Sequence, residues 1–243
     1  MDEQQLTPLE AVWKATPEEG AREGLSLGRI VAAALALGDA EGLAAVSMSR
    51  VAKALGFTPM SLYRHVGSKE ELLLHMQDRA VGPPPPGLDP PPGQDWRTGL
   101  ELWAWHTVAA MRAHPWIVQT LSILGPPATP NQLTWLEYGL RALAGTPLSE
   151  AEKLQVILMI NAHTFGDLTF HDAEVADSRG EGGDGYELLF SRYLDPARFP
   201  ALIAAFTGGA FAAGDDPQVD RDEQFRFGLD RILDGVAQLI GSR

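Results

Sequence analysis

The chain of 243 residues contains no cysteine. That excludes disulfides, thiolate nucleophiles and cysteine-bound zinc. It also lacks any run of eighteen apolar residues, so no membrane-spanning helix is expected. The opening Met-Asp-Glu-Gln-Gln has none of the basic-then-apolar patterning of a secretory signal, and a cytoplasmic protein is the simplest reading. No stretch sustains the alternation of a half-buried strand, which leaves an all-α protein. A serine nucleophile elbow in its strand–turn–helix setting and a phosphate-binding glycine loop are both missing. The glycine-rich segment Gly180–Gly185 is acidic and would repel phosphate. Enzymatic function is therefore not expected, and no cofactor is implied.

Positive charge is also scarce. There are 19 Lys/Arg against 32 Asp/Glu, a net charge of −13. The deficit is uneven. Residues 22–79 hold seven basic and six acidic side chains, residues 80–243 eleven and twenty-one, and residues 1–21 one and five. The near-neutral segment is the one part of the chain whose charge does not oppose contact with a polyanion. Local basic side chains there can engage phosphates within a Debye length, while the acidic remainder limits sequence-independent attraction.

Within that segment two short helices meet at a turn. Ser47 is placed to cap a helix over 48–55, whose Val51, Ala52 and Leu55 form an apolar face. Gly56 follows as a left-handed terminator, and Phe57 is expected to plug inward. Thr58 is a second N-cap with Pro59 at the first helical position, which predicts a two-turn helix over 60–66 with Leu62 and Val66 inward. Ser68 and Glu71 have the spacing of a capping box for a third helix over 69–80. Too short to hold alone in water, the middle helix must be stabilised by packing. Its outward residues are polar, aromatic and basic, as suits phosphate contact and base reading.

The run Met-Ser-Arg-Val-Ala-Lys-Ala-Leu-Gly-Phe-Thr-Pro-Met-Ser-Leu-Tyr-Arg-His-Val, with the following Ser-Lys-Glu-Glu-Leu, resembles the DNA-binding domain of the TetR family of repressors. The preceding stripe Leu27, Ile30, Val31, Ala34 and Leu37, closed by Asp39–Leu43, fits the same resemblance. It implies double-stranded operator DNA as partner. Carried over by position, Ser47, Tyr63, His65 and Lys69 are phosphate contacts, and Ser49, Pro59, Met60, Ser61 and Arg64 face base edges. Arg50 and Thr58 belong to the same DNA-binding set. Arg64 is the foremost direct reader, since a guanidinium bonds bidentately to guanine. Ser49 and Pro59 depart from the tetracycline repressor, which has arginine and glutamine there, so a different operator is implied.

The remaining chain divides around a connector. Residues 1–25 are an N-terminal arm with Trp13, Lys14 and Arg22. Arms in related regulators reach the minor groove; here Glu18 and Glu19 favour a loosely ordered extension with Trp13 docked on the body. Residues 26–81 are the three-helix helix-turn-helix domain. Residues 82–94 are a Pro-rich connector in which no helix can persist. Residues 95–243 form a helical effector-binding and dimerisation domain, with helices expected over 96–113, 115–124, 129–144, 149–176, 186–193, 196–206 and 222–240 and a loop over 177–185.

The segment from Trp96 through His114-Pro115-Trp116 to Leu148-Ser149 resembles the C-terminal domain of tetracycline-repressor-like regulators. That resemblance implies a small-molecule effector and a homodimer built by the last long helices. Ile123 stands where that subfamily carries a histidine for tetracycline-borne metal, which argues against magnesium–tetracycline. Trp103 and His106 on one helix, with Trp135 on another, are candidates to line an apolar pocket or are plain core. Asn161, His163 and Asp167 are candidate polar lining. His163, Asp167 and His171 share a helix face, and three readings stay open: a metal site, pocket lining, or satisfied polar groups at a seam. The expected function is a ligand-responsive homodimeric repressor released from a palindromic operator by a small, largely apolar effector. The alternatives are a DNA-binding activator, a ligand-independent regulator, and an all-α interaction module that never meets DNA.

Overall fold

A computed structural model describes residues 6–15, 24–89, 91, 93–124, 128–179, 192–209 and 217–243, with the side chains at 121, 122, 170–179 and 217–220 outside that description. Among the described residues every regular element is helical: α1 (Pro8–Lys14), α2 (Leu27–Glu41), a 3₁₀ turn (Leu43–Ala45), α3 (Met48–Leu55), α4 (Pro59–Leu62), α5 (Lys69–Val81), α6 (Trp96–Arg112), α7 (Ile117–Leu124), α8 (Pro130–Ala142), α9 (Glu150–Arg179), α10 (Pro200–Thr207) and α11 (Pro217–Gly241).

The head of the molecule is α2–α5. Ser26, Ser47, Thr58 and Ser68 cap its four helices, each accepting from the backbone N–H three residues on. Gly56 closes α3 at φ 77°. The Gly56 and Phe57 amides bond back to Lys53 and Ala52, the two reverse bonds of a Schellman ending. Ile30, Val31, Ala34, Val51, Ala52, Leu62, Val66, Leu72 and Met76 bury themselves between these helices.

Several expected boundaries shift for local reasons. The helix expected over 60–66 is regular only through Leu62. It then tightens into a turn, where His65 N–H bonds to Leu62 O at 2.8 Å. Phe57 does not plug inward; it is 38% exposed, because the Gly56 turn carries it away from the Val51–Leu62 core. Ser68 caps α5, but Glu71 reaches back to the Gly67 amide at 3.0 Å, so the box is offset by one residue. Ser149 and Glu152 do form the reciprocal box that opens α9.

The N-terminal segment is not a loose extension over its described part. Thr7 and Glu10 form a capping box for α1, Val12 is buried, and α1 packs on α5. Trp13 is half-exposed yet donates its indole N–H to Ala128 O at 3.0 Å.

The second half wraps α6, α8, α9 and α11 around Leu100, Trp103, Leu143, Ile157, Ile160, Phe225 and Leu233. Helix α9 runs to Arg179, past the expected loop start at 177. Residues 180–191, where the rest of that loop and most of the expected 186–193 helix fall, lie outside the described residues. Helix α10 begins at Pro200 rather than 196, because Asp195 holds residues 197–199 in a turn. Helix α11 begins at Pro217 rather than 222. Helix α5 joins the halves, packing against α1, α2, α6, α7 and α8.

Candidate DNA interface and effector site

The face expected to meet DNA is built on α3, α4 and the turn that follows. Leu62 and Val66 are fully buried, and this fixes which sides of the two-turn segment point outward. Ser49, Pro59, Tyr63, Arg64, His65 and Lys69 are exposed, and Met60 is 71% exposed. A thioether so uncovered beside Pro59 gives the leading edge of α4 an apolar character.

Polar groups on this face differ in how free they are. The Thr58 hydroxyl accepts from the Ser61 amide at 3.3 Å and sits 2.9 Å from the Ser61 hydroxyl, so both are committed to the cap. Ser47 is half-buried and accepts from the Arg50 amide. Arg50 is drawn back to Glu41 at 2.6 Å. Arg64 and Lys69 form no ion pair among the described residues, and both charges remain available to a polyanion. The six-against-seven balance of this segment thus hides an uneven display: the Glu41 carboxylate neutralises Arg50, and Arg64 stands clear.

The residues singled out for effector binding separate into two groups. Trp103 and Trp135 come together, but as framework. Trp103 is 2% exposed and its N–H donates to Trp135 O at 2.8 Å. Trp135 in turn donates to Gly82 O at 2.9 Å. Gly139 lets the Trp103 ring approach closely, since a Cβ there would meet Trp103 Cε2 and Ile157 Cδ1 at 2.9 Å.

His163 and Asp167 come together on α9 against α11. His163 Nε2 lies 2.9 Å from Phe225 O, and its ring stacks on Phe225 with centroids 4.9 Å apart. Trp105 meets the same phenyl ring edge-on at 4.9 Å. Asp167, its side chain 6% exposed, accepts from Arg112 of α6 at 3.0 Å and from Arg221 of α11 at 2.9 Å. Burial works to raise the Asp167 carboxyl, but the hydrogen bonds from Arg112 and Arg221 outweigh it and hold the group below the usual carboxylate range. This cluster ties three helices, and both carboxylate oxygens of Asp167 are engaged by arginines. The side chain of His171 lies outside the described residues. His106 and Asn161 are half-buried and carry no hydrogen bond among the described residues. Ile123 is exposed on α7.

Sequence reading did not find the partners. Arg112 and Arg221 lie 55 and 54 residues from Asp167, and nothing local marks them.

Comparison with known proteins bears on both halves. Residues 30–76 match the family described as bacterial regulatory proteins, tetR family, and residues 89–240 match the tetracyclin repressor-like C-terminal domain. The chain is 35% identical to the HTH-type transcriptional repressor DrrR1 of Streptomyces coeruleorubidus, over 97% of this chain and 86% of that one. An HTH-type transcriptional regulator of Saccharopolyspora erythraea is 28% identical over 95% and 93%. Apo ActR from Streptomyces coelicolor superposes with a TM-score of 0.72 at 25% identity, covering 91% of this chain and 99% of ActR. ActR in complex with actinorhodin gives 0.70 at 26%, covering 90% and 99%. With both halves matched and a relative this similar along nearly its whole length, the chain belongs to the TetR family of transcription regulators.

Proposed function

We propose that this protein is a ligand-responsive transcriptional repressor that binds a two-fold-symmetric operator as a homodimer. The observation that carries the reading is the exposed face of α4 and its following turn, displayed from a buried Leu62–Val66 anchor, with Arg64, which forms no ion pair among the described residues, at its centre. Each subunit places residues 58–65 in a major groove. Tyr63, His65, Lys69 and Ser47 contact phosphates, and Arg64 reads a guanine. Pro59 and Met60 give the base-facing edge little hydrogen-bonding capacity, and together with Ser49 they set the operator apart from that of the tetracycline repressor. Arg50, held by Glu41, is a weaker candidate than Arg64.

The homodimer is formed by α9 and α11, whose exposed Leu154, Leu158, Met159 and Phe227 offer apolar surface for a second copy. A small, largely apolar effector enters the second half beside His106 and Asn161 and favours a conformation whose heads no longer match the half-site spacing. ActR has been solved with actinorhodin and with (S)-DNPA, and these are the first ligands to try. The chain acts by binding, and no catalytic step is assigned to it.

Selection from random duplexes followed by footprinting tests the reading. The expected result is an inverted repeat, protected by a dimer and lost on Arg64→Ala. An asymmetric site bound by a monomer, or full binding by the Arg64→Ala variant, would sink it.

A further inference from the structure

The His-Pro-Trp segment at 114–116 makes a long-range contact with α2. Asp39, in the last turn of α2, receives the Nδ1 of His114 and the indole N–H of Trp116, each at 2.7 Å. His114 and Trp116 lie in the α6–α7 turn, 75 and 77 residues away. The approach is close: a Cβ on Gly38 would come within 3.2 Å of the Trp116 indole nitrogen.

Other polar ties between the halves begin on α1, where Trp13 donates to Ala128 O, and on α5 or just after it. Gln77 donates to Thr120, Asp78 takes the amide and side chain of Asn131 at 2.8 and 3.0 Å, and Gly82 takes Trp135. These bind the end of α5 to α7 and α8. From α2–α4, it is Asp39 that carries the hydrogen bonds to the α6–α7 turn. The reading head is held by its packing on α5 and, away from that helix, by the Trp116 indole against Gly38 and the Asp39 carboxylate. A body held along one helix can still swing about it; a second, off-axis tie removes that freedom.

We infer that Asp39 is a positioning residue for operator binding: clasped by His114 and Trp116, it fixes the angle of the α2–α4 head and passes to it the state of the α6–α7 turn. This rests on the homodimeric repressor reading, because the angle matters where two heads must fit one duplex. A charge-assisted pair of bonds on one carboxylate is strong enough to hold the angle and local enough to be released by a small shift of α6–α7.

The test uses the full chain and two duplexes, the selected inverted repeat and one carrying a single half-site. Asp39→Ala is expected to weaken binding to the repeat about tenfold and leave single-half-site affinity within about twofold, since the reading surface is untouched. Trp116→Phe keeps a smaller aromatic ring, loses the indole donor and should show a smaller shift of the same kind. Asp39→Asn, which still accepts from the indole, should fall between wild type and Asp39→Ala. An unchanged ratio of the two affinities in both Asp39→Ala and Trp116→Phe would overturn the clasp, as would a parallel loss on both duplexes.

Hydrogen exchange on the DNA-free protein decides the same point independently of the repressor reading. Faster exchange in Asp39→Ala at 38–42 and 116–120, with Val51 and Ala52 unchanged, supports the clasp. No change there, or general acceleration, refutes it. A wild type that binds no symmetric duplex counts against the repressor reading alone, and the exchange result still decides the clasp.

Discussion

At the residue scale, charge display separates side chains of the same type. Arg64 and Arg50 differ only in context: among the described residues one guanidinium forms no ion pair, and the other lies 2.6 Å from Glu41. Arg64→Ala is expected to cost about 1–3 kcal/mol of operator binding and to relax selectivity at one base position, which mobility shifts on singly substituted duplexes would register. Arg50→Ala should cost less than half of that. Asp167 shows the opposite situation, a carboxylate committed within the fold. Asp167→Ala leaves Arg221 without this carboxylate and Arg112 with Asp222 alone, and should destabilise the protein by roughly 2–4 kcal/mol, read from urea unfolding. A variant that kept wild-type stability would show that Asp222 suffices for Arg112 and that Arg221 is relieved elsewhere.

At the scale of elements, α4 is four residues long and cannot form by propensity. Its geometry depends on the Thr58 cap in front and Leu62 beneath. Thr58→Ala should cost about 1 kcal/mol, and because the cap orients Met60 and Arg64, operator affinity should fall along with melting temperature. Helix α1 raises a different point. Its charge and position suggested an arm, with a docked Trp13 as the nearer expectation. The tryptophan does reach the body through Ala128, but the buried anchor is Val12. The 3.6-residue periodicity over 8–14 is too brief to reveal which of two adjacent apolar residues faces inward, and the partner surface on α5 is distant in sequence.

Across the whole molecule, titration and net charge act together. Burial pushes the His75 imidazole below its ordinary value, only partly opposed by Asp78, and Asp167 is held low by its arginines. Both cases have the same sign: the unfolded chain binds more protons. The His75 contribution is complete above about pH 6.5 and is lost as pH falls below it; that of Asp167 is complete above about pH 4 and is lost below. Melting temperature should therefore decline in two stages on acidification, and Asp167→Asn should shrink the lower one, to which Glu10, Glu152 and Asp234 also contribute. The negative charge resides outside the head: residues 22–79 carry +1 of the net −13. Binding to random duplex at ordinary salt is expected to be weak, with a shallow salt slope, and a steep slope in a fluorescence titration would contradict this.

What the sequence determined by itself was local. N-caps at Ser47, Thr58 and Ser68, the left-handed stop at Gly56, the breaks at the proline-rich connector and the periodic stripes of α2 and α6 are all written in neighbouring residues, because capping, backbone handedness and amphipathicity act within a turn or two. From them followed the all-helical class, the helix pair and the outward position of Arg64. What only the tertiary structure decided was the fate of polar side chains whose partners lie far along the chain. His163 and Asp167 shared a helix face that could have faced a ligand, a metal or a seam, and it was Arg112, Arg221 and Phe225 from other helices that made it a seam. Asp39 read as a helix-ending residue until His114 and Trp116 were folded against it. Hydrogen bonds and ion pairs form between atoms close in space, and a one-dimensional pattern carries that proximity only where the chain has not travelled far between them.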